Sequence, residues 1–238
     1  LADEELMLYL RNASFVDWRT LKIRRGHLEV APGPAGKIRF VSRIPRGEKA
    51  LDCSGRLVTK SFVIAHHHLY SALALGMPPA RRAPRSFSDM LRLVWWNLDR
   101  RLDRDMIRAC ALAGAVSAAK SGATFIIDHH SSPNAAPGSL DIIAEALDEA
   151  GLGHLLCLEL SDRDGPRARE AGLEETERYL SRRPGLVGLH ASFTVSDGLL
   201  KRAVELTRAH GTGLHVHVAE GPEDQALCLR RHGERVLE

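Results

Sequence analysis

The chain has 238 residues, 44% of them hydrophobic and 26% charged, with a formal net charge of +3. That balance excludes a disordered chain and is enough to bury a substantial core. The basic residues are scattered apart from Arg81-Arg82-Ala83-Pro84-Arg85, read as a solvated loop, and no apolar run approaches the roughly 18 residues of a membrane-spanning helix, so neither a nucleic-acid-binding nor a membrane protein is expected.

Residues 1–58 read as short strands with frequent turns: Leu6–Leu10, Thr20–Ile23, His27–Val30 and Lys37–Val41, punctuated by Gly26, Pro32-Gly33 and Gly36. This stretch is expected to form a small β module. The acidic start Leu1-Ala2-Asp3-Glu4-Glu5 is unlike a secretory signal, and Cys53, Cys110, Cys157 and Cys228 stand far apart with no Cys-x-x-Cys pair. Reduced thiols and a cytoplasmic protein are therefore expected.

From residue 59 the pattern changes to short apolar strands alternating with longer amphipathic helices. The strands expected are Phe62–Ala65, Thr124–Ile127, His154–Leu158, Leu186–Leu189 and Leu214–Val218. The helices expected are Arg104–Lys120, Ser139–Ala150, Ala168–Ser181, Asp197–His210 and Glu223–Val236. Ser139 and Ser196 or Asp197 read as N-caps, and Gly122, Gly151 and Gly211 as C-terminal stops. Strands too apolar to face water, each followed by a helix, imply an α/β fold with a parallel sheet covered by helices. The first unit carries a long insertion, Leu69 to Asp103, placed to cover whatever the first strand end holds.

Polar residues collect at the carboxyl ends of these strands: His66 and His68, Asp128 with His129 and His130, His190, and His217 with Glu220. That is the edge where parallel α/β folds build active sites. Strand side chains alternate faces, so His66 and His68 point the same way and His67 points away. With His217 they form a three-imidazole set suited to zinc or ferrous iron, leaving room for a water. His67 and His215 are read as packing or ligand-orienting residues, and Asp128, His129 and His130 as groups that order the loop or support a ligand.

At these residues the chain resembles the amidohydrolase superfamily, in its cytosine-deaminase-like and chlorohydrolase-like branch. The resemblance rests on Asp52-Cys53-Ser54-Gly55-Arg56-Leu57-Val58 leading to His66-x-His68, on Gly122-Ala123-Thr124 before a strand ending at Asp128, and on His217-Val218-Ala219-Glu220. Within that branch the SsnA-like aminohydrolases are most similar, through Asp128-His129-His130-Ser131-Ser132-Pro133-Asn134, Gly138-Ser139-Leu140-Asp141, Ser161-Asp162-Arg163-Asp164-Gly165 and Gly188-Leu189-His190-Ala191-Ser192-Phe193-Thr194.

The resemblance implies a (β/α)8 metal-dependent-hydrolase barrel preceded by a β-sandwich module, with residues 1–58 as part of the sandwich and 59–238 as the first five β/α units. It implies one divalent ion, zinc ahead of iron, on His66, His68 and His217, with Glu220 as proton shuttle and His190 touching substrate. The activity implied is hydrolysis of a C–N bond other than a peptide bond, as deamination of a heterocyclic or amidine-like small molecule. Ring-amide hydrolysis or dechlorination within the same superfamily is the alternative, and a non-catalytic metal-binding or assembly role is the reading from another class. A homodimer acting on a small molecule is expected.

Two departures stand out. Lys60-Ser61 precede the first metal-bearing strand where the family has Pro-Gly. The family's histidine after the sixth strand and aspartate after the eighth have no counterpart, and Asp128 does not transfer into the aspartate's role, so the sequence is expected to be the amino-terminal portion of a longer protein.

Overall fold

A computed structural model describes residues 7–31 and 37–238. The acidic start and the turn residues Pro32, Gly33 and Gly36 lie outside the described residues. The chain divides into two compact units at Ser61/Phe62, and no described helix is long and apolar enough to cross a membrane.

In the first unit β1 (Leu8–Val16), β2 (Ile23–Val30), β3 (Ile38–Val41), β4 (Ala50–Asp52) and β5 (Leu57–Val58) form one sheet in the order β3-β2-β1-β4, with β5 also paired to β1. One face carries the core, Leu10, Ala13, Leu28 and Cys53, with Phe15, Val30 and Phe40 against it. The expected break at Gly26 does not occur, because Gly26 pairs with Ala13 inside one continuous β2. A Cβ there would meet the Phe40 ring at 3.1 Å, so the glycine serves a close approach across the sheet rather than a turn.

The second unit is a parallel sheet of β6 (Phe62–His67), β7 (Ala123–His130), β8 (Gly153–Leu160), β9 (Val187–Leu189) and β10 (Leu214–Val216). The strands lie side by side in sequence order. A doubly wound sheet would reverse direction at a switch point; a sheet that never reverses is the wall of a barrel. The crossovers are α1 (Arg104–Lys120), α2 (Ser139–Glu149), α3 (Pro166–Leu180) and α4 (Asp197–His210), with α5 (Pro222–His232) following β10. Ile107, Ala111, Ala115 and Ala118 of α1 and Leu140, Ile143 and Leu147 of α2 pack on Ile126, Leu156 and Leu158. A second cluster joins Leu160, Val187 and Leu189 to Leu173, Leu199 and Ala203.

Helix ends follow local chemistry with two corrections, the first being α5, which stops at His232 rather than Val236 because Gly233 turns left-handed at φ 74°. Ser196 caps α4 by accepting from the Leu199 amide, and Gly122, Gly151 and Gly211 adopt left-handed conformations after their helices. Ser139 is not the cap of α2. Gly138 holds that position at φ 76°, and Glu175 of α3 accepts from the Gly138 and Leu140 amides. A carboxylate from a neighbouring helix therefore replaces the local hydroxyl.

Candidate metal centre

Two strand ends supply the histidines. Along β6 the pairing with β7 steps from Ile64↔Ile126 to His67↔Asp128, three residues against two. Such a bulge bends a strand and re-aims the side chains beside it. His66 lies within it and His68 just beyond it, and their Nε2 atoms are 3.1 Å apart. β10 leaves the ladder at Val216, two residues short of the expected end, and His217 places its Nε2 3.3 Å from that of His66 and 3.2 Å from that of His68.

The opposite edges of each ring fix what these atoms are. His68 Nδ1 lies 2.7 Å from the His129 carbonyl, and His217 Nδ1 lies 3.0 Å from the His190 carbonyl. A carbonyl only accepts, so both Nδ1 atoms donate, and Nε2 is the atom through which either ring would hold a metal ion. His66 Nδ1 meets His215 Nε2 at 2.7 Å, so His215 orients a candidate ligand. Burial, then the neighbouring His68 and His217 rings, lowers the His66 pKa to about 4 and keeps it neutral.

Three imidazole nitrogens converging at this spacing could hold one metal ion. Four tetrahedral ligands with zinc–nitrogen bonds of about 2.0–2.1 Å stand about 3.3 Å apart. The observed 3.1–3.3 Å separations fit that donor set. His129, Glu159 and His217 also offer ligand atoms close together, but His217 Nε2 can serve only one ion and points at His66 and His68.

The neighbouring residues hold this constellation. The Leu69 amide, next after His68, donates to Asp128 Oδ1 at 2.7 Å, and His67 points away, with Nδ1 3.8 Å from the same oxygen. His129 is fully buried, its pKa driven well down by burial, and supports His68 through its backbone. His130, lowered to about 4 by burial, meets the Ser132 hydroxyl at 2.8 Å.

A cavity of about 240 Å³ opens beside the histidines, lined by His68, His217, His190, Glu220, Tyr70 and Trp96 among others. The insertion after β6 supplies Tyr70, Trp95 and Trp96 to its wall, in the position expected of a cover. Thr194 donates its hydroxyl to the Ala191 carbonyl, so at 2.6 Å it accepts from His190 Nδ1–H and leaves Nε2 as an acceptor. Burial lowers the His190 pKa to about 4, so that ring is neutral.

Sequence reading passed over a group on this cavity. Arg163 donates to Asp99 at 2.5 Å, to Ser131 at 2.9 Å, to Asp164 at 3.1 Å and to Glu159. The side chains of Arg163, Asp99 and Glu159 are 6%, 2% and 3% exposed, so the charges meet out of water. Burial, then the charge of Glu159, pushes the Asp99 carboxyl up to about 8, whereas Glu159 itself, despite burial, is held low by Arg163. The available signal was Glu159, a lone carboxylate inside the apolar run His154–Leu160 just ahead of Arg163.

The insertion also touches the turn that carries Glu220. Ser88 donates to Glu223 Oε1 at 2.7 Å, and a Cβ on Gly221 would meet the Phe87 ring at 2.6 Å. Only glycine fits at that point.

Residues 57–238 match the amidohydrolase family, and the chain belongs to it. It is 31% identical over 162 residues to the 5'-deoxyadenosine deaminase of Methanopyrus kandleri, covering 63% of this chain and 36% of the relative. It is 30% identical over 203 residues to 5-methylthioadenosine/S-adenosylhomocysteine deaminase 2 of Archaeoglobus fulgidus, covering 82% of this chain and 46% of the relative. The chain thus spans less than half the length of these two curated relatives. A variant of the Arthrobacter aurescens atrazine chlorohydrolase, solved with zinc and atraton, shares the fold with a TM-score of 0.74 at 15% identity, over 97% of this chain and 56% of that one.

Proposed function

From membership of the amidohydrolase family, we propose that the chain is the amino-terminal portion of a zinc-dependent aminohydrolase that deaminates a heterocyclic or amidine-like small molecule. The observation that carries this reading is the meeting of three histidine Nε2 atoms within 3.1–3.3 Å of one another beside a cavity that also holds Glu220 and His190. His66, His68 and His217 hold the ion. Three imidazoles suit zinc, the metal present in the atrazine chlorohydrolase structure of the same fold. When bound, a divalent ion supplies a hydroxide nucleophile near neutral pH and polarises the carbon under attack.

The remaining steps belong to the chain. Glu220, on the turn that leaves His217, takes the proton of the attacking water and delivers it to the departing nitrogen, so that ammonia leaves rather than an amide ion. His190 Nε2 accepts an N–H of the substrate and fixes the face presented to the water. The tryptophans and Tyr70 form an apolar wall for a flat ring. In this reading residues 59–238 supply five units of an eight-unit barrel, residues 1–58 belong to a β-sandwich, and the protein is a cytoplasmic homodimer.

Elemental mass spectrometry on protein purified without added metal, with ammonia release measured on an amine panel including 5'-deoxyadenosine and S-adenosylhomocysteine, tests the proposal. About one zinc per chain and chelator-sensitive ammonia release are expected. Glu220→Ala lowers turnover at least about 100-fold with zinc retained; unchanged turnover removes Glu220 from the mechanism. Chloride or a ring-opened product in place of ammonia moves the reaction to the alternative hydrolases, and bound metal without hydrolysis favours an assembly role.

A further inference from the structure

The turn after β10 contains an arrangement that ligand binding alone does not require. His217 and Glu220 are three residues apart, and in an extended chain an odd spacing sends two side chains to opposite faces. Both nevertheless line the same cavity. Alternation is broken at Ala219, which sits at φ 57° in the left-handed region. Among the described residues only Asn12, Leu21 and Ala219 do so without being glycine. Alanine resists this conformation because its Cβ crowds the following carbonyl.

What holds Ala219 there is Asp224. Its carboxylate is fully buried in the first turn of α5 and accepts from two neutral donors. One is the Ala219 amide, at 2.6 Å from Oδ2; the other is the Ser192 hydroxyl, on Oδ1. Ser192 lies two residues after His190 in the loop leaving β9. One buried carboxylate therefore ties the loop that presents His190 to the turn that presents Glu220.

We propose that Asp224 is a positioning residue: it holds the left-handed bend at Ala219 that turns Glu220 onto the face of His217, and Ser192 fixes Asp224 in register. The inference rests on the reading of Glu220 as the proton carrier. In that role Asp224 acts on the rate of proton delivery and leaves metal uptake to the ring partners of the histidines.

Hydrogen exchange of the Ala219 amide, zinc content, and kcat and KM for ammonia release on the amine panel test this on the zinc-loaded full-length protein. In Asp224→Ala the amide is expected to exchange at least about tenfold faster and kcat to fall at least about tenfold, with KM within about twofold and about one zinc per chain. Adding Ala219→Gly, which adopts positive φ without strain, restores kcat at least about threefold. Asp224→Asn keeps one acceptor and shows the same pattern, smaller, if Asp224→Ala does not fold; Ala219→Val tests the bend with Asp224 intact and lowers kcat at constant zinc.

Unchanged exchange removes the clamp, whatever the activity. Zinc lost in step with kcat, or no rescue by Ala219→Gly in a folded protein, overturns the positioning role. Wild-type protein inactive on the whole panel, with exchange still responding to Asp224, removes the proposed activity and retains the clamp.

Discussion

The edge strands and the central strands of the parallel sheet differ in exposure and in duty. On β6, Phe62 and Val63 are 62% and 59% exposed, and on β10 Leu214 and Val216 are 39% and 38% exposed, whereas Ile126, Leu156 and Val187 of β7, β8 and β9 are fully buried. The edges carry the three converging imidazoles. The centre carries what orients them: the His129 and His190 carbonyls and the Asp128 carboxylate. Among the described residues, therefore, the buried strands set the rings of His68 and His217 through their carbonyls, and His215 of β10 sets that of His66.

Substitutions on the two kinds of strand are expected to separate metal uptake from stability. His66→Ala has the largest expected effect: zinc falls from about one per chain to background and turnover drops at least about a thousandfold, about 4 kcal/mol of barrier. The thermal midpoint of metal-free protein should move little. A large fall in that midpoint would show that the edge is structural after all.

Leu156→Ala, on a central strand, is expected to cost about 2–5 kcal/mol of stability in denaturant unfolding while the folded fraction still binds zinc. Acid comes next. Unfolded His130 takes a proton near the ordinary 6.5, whereas the buried ring resists until about 4. Between these values the unfolded state binds more protons, so its contribution is complete above about 6.5 and is lost as pH falls to about 4. A single such group is worth about 3 kcal/mol, and His130→Asn should flatten midpoint against pH across that window. Asp128→Asn is the mildest. Keeping the shape but weakening the acceptor for Leu69, it should lower zinc affinity about 10- to 100-fold by competition with a chelating dye.

What the sequence made legible follows the same line between local and distant causes. Arg104–Lys120 and Asp197–His210 are helices over the expected residues, because caps and apolar spacing lie within the segment itself. The paired His-x-His patterns at two strand ends were visible for the same reason. Gly26 misled because its cause, the Phe40 ring, is on another strand, and Ser139 because Glu175 reaches its helix from α3. Asp99 and Arg163 stand 60 or more residues apart in a chain with charges throughout, and only the fold joins them to Glu159, whose place in an apolar run was the one local signal. Asp224 was hidden likewise: its partners are a hydroxyl after β9 and one backbone amide.

The contact of Phe87 with Gly221 and of Ser88 with Glu223 bears on how such a protein can be retargeted. The insertion that lines the cavity packs directly against the turn that carries Glu220. A grafted insertion chosen to admit a different molecule will also shift the turn that carries Glu220, the proposed proton carrier. Selection for new specificity in this scaffold will therefore recover paired changes, one in the entrance and one in the turn, more often than either alone.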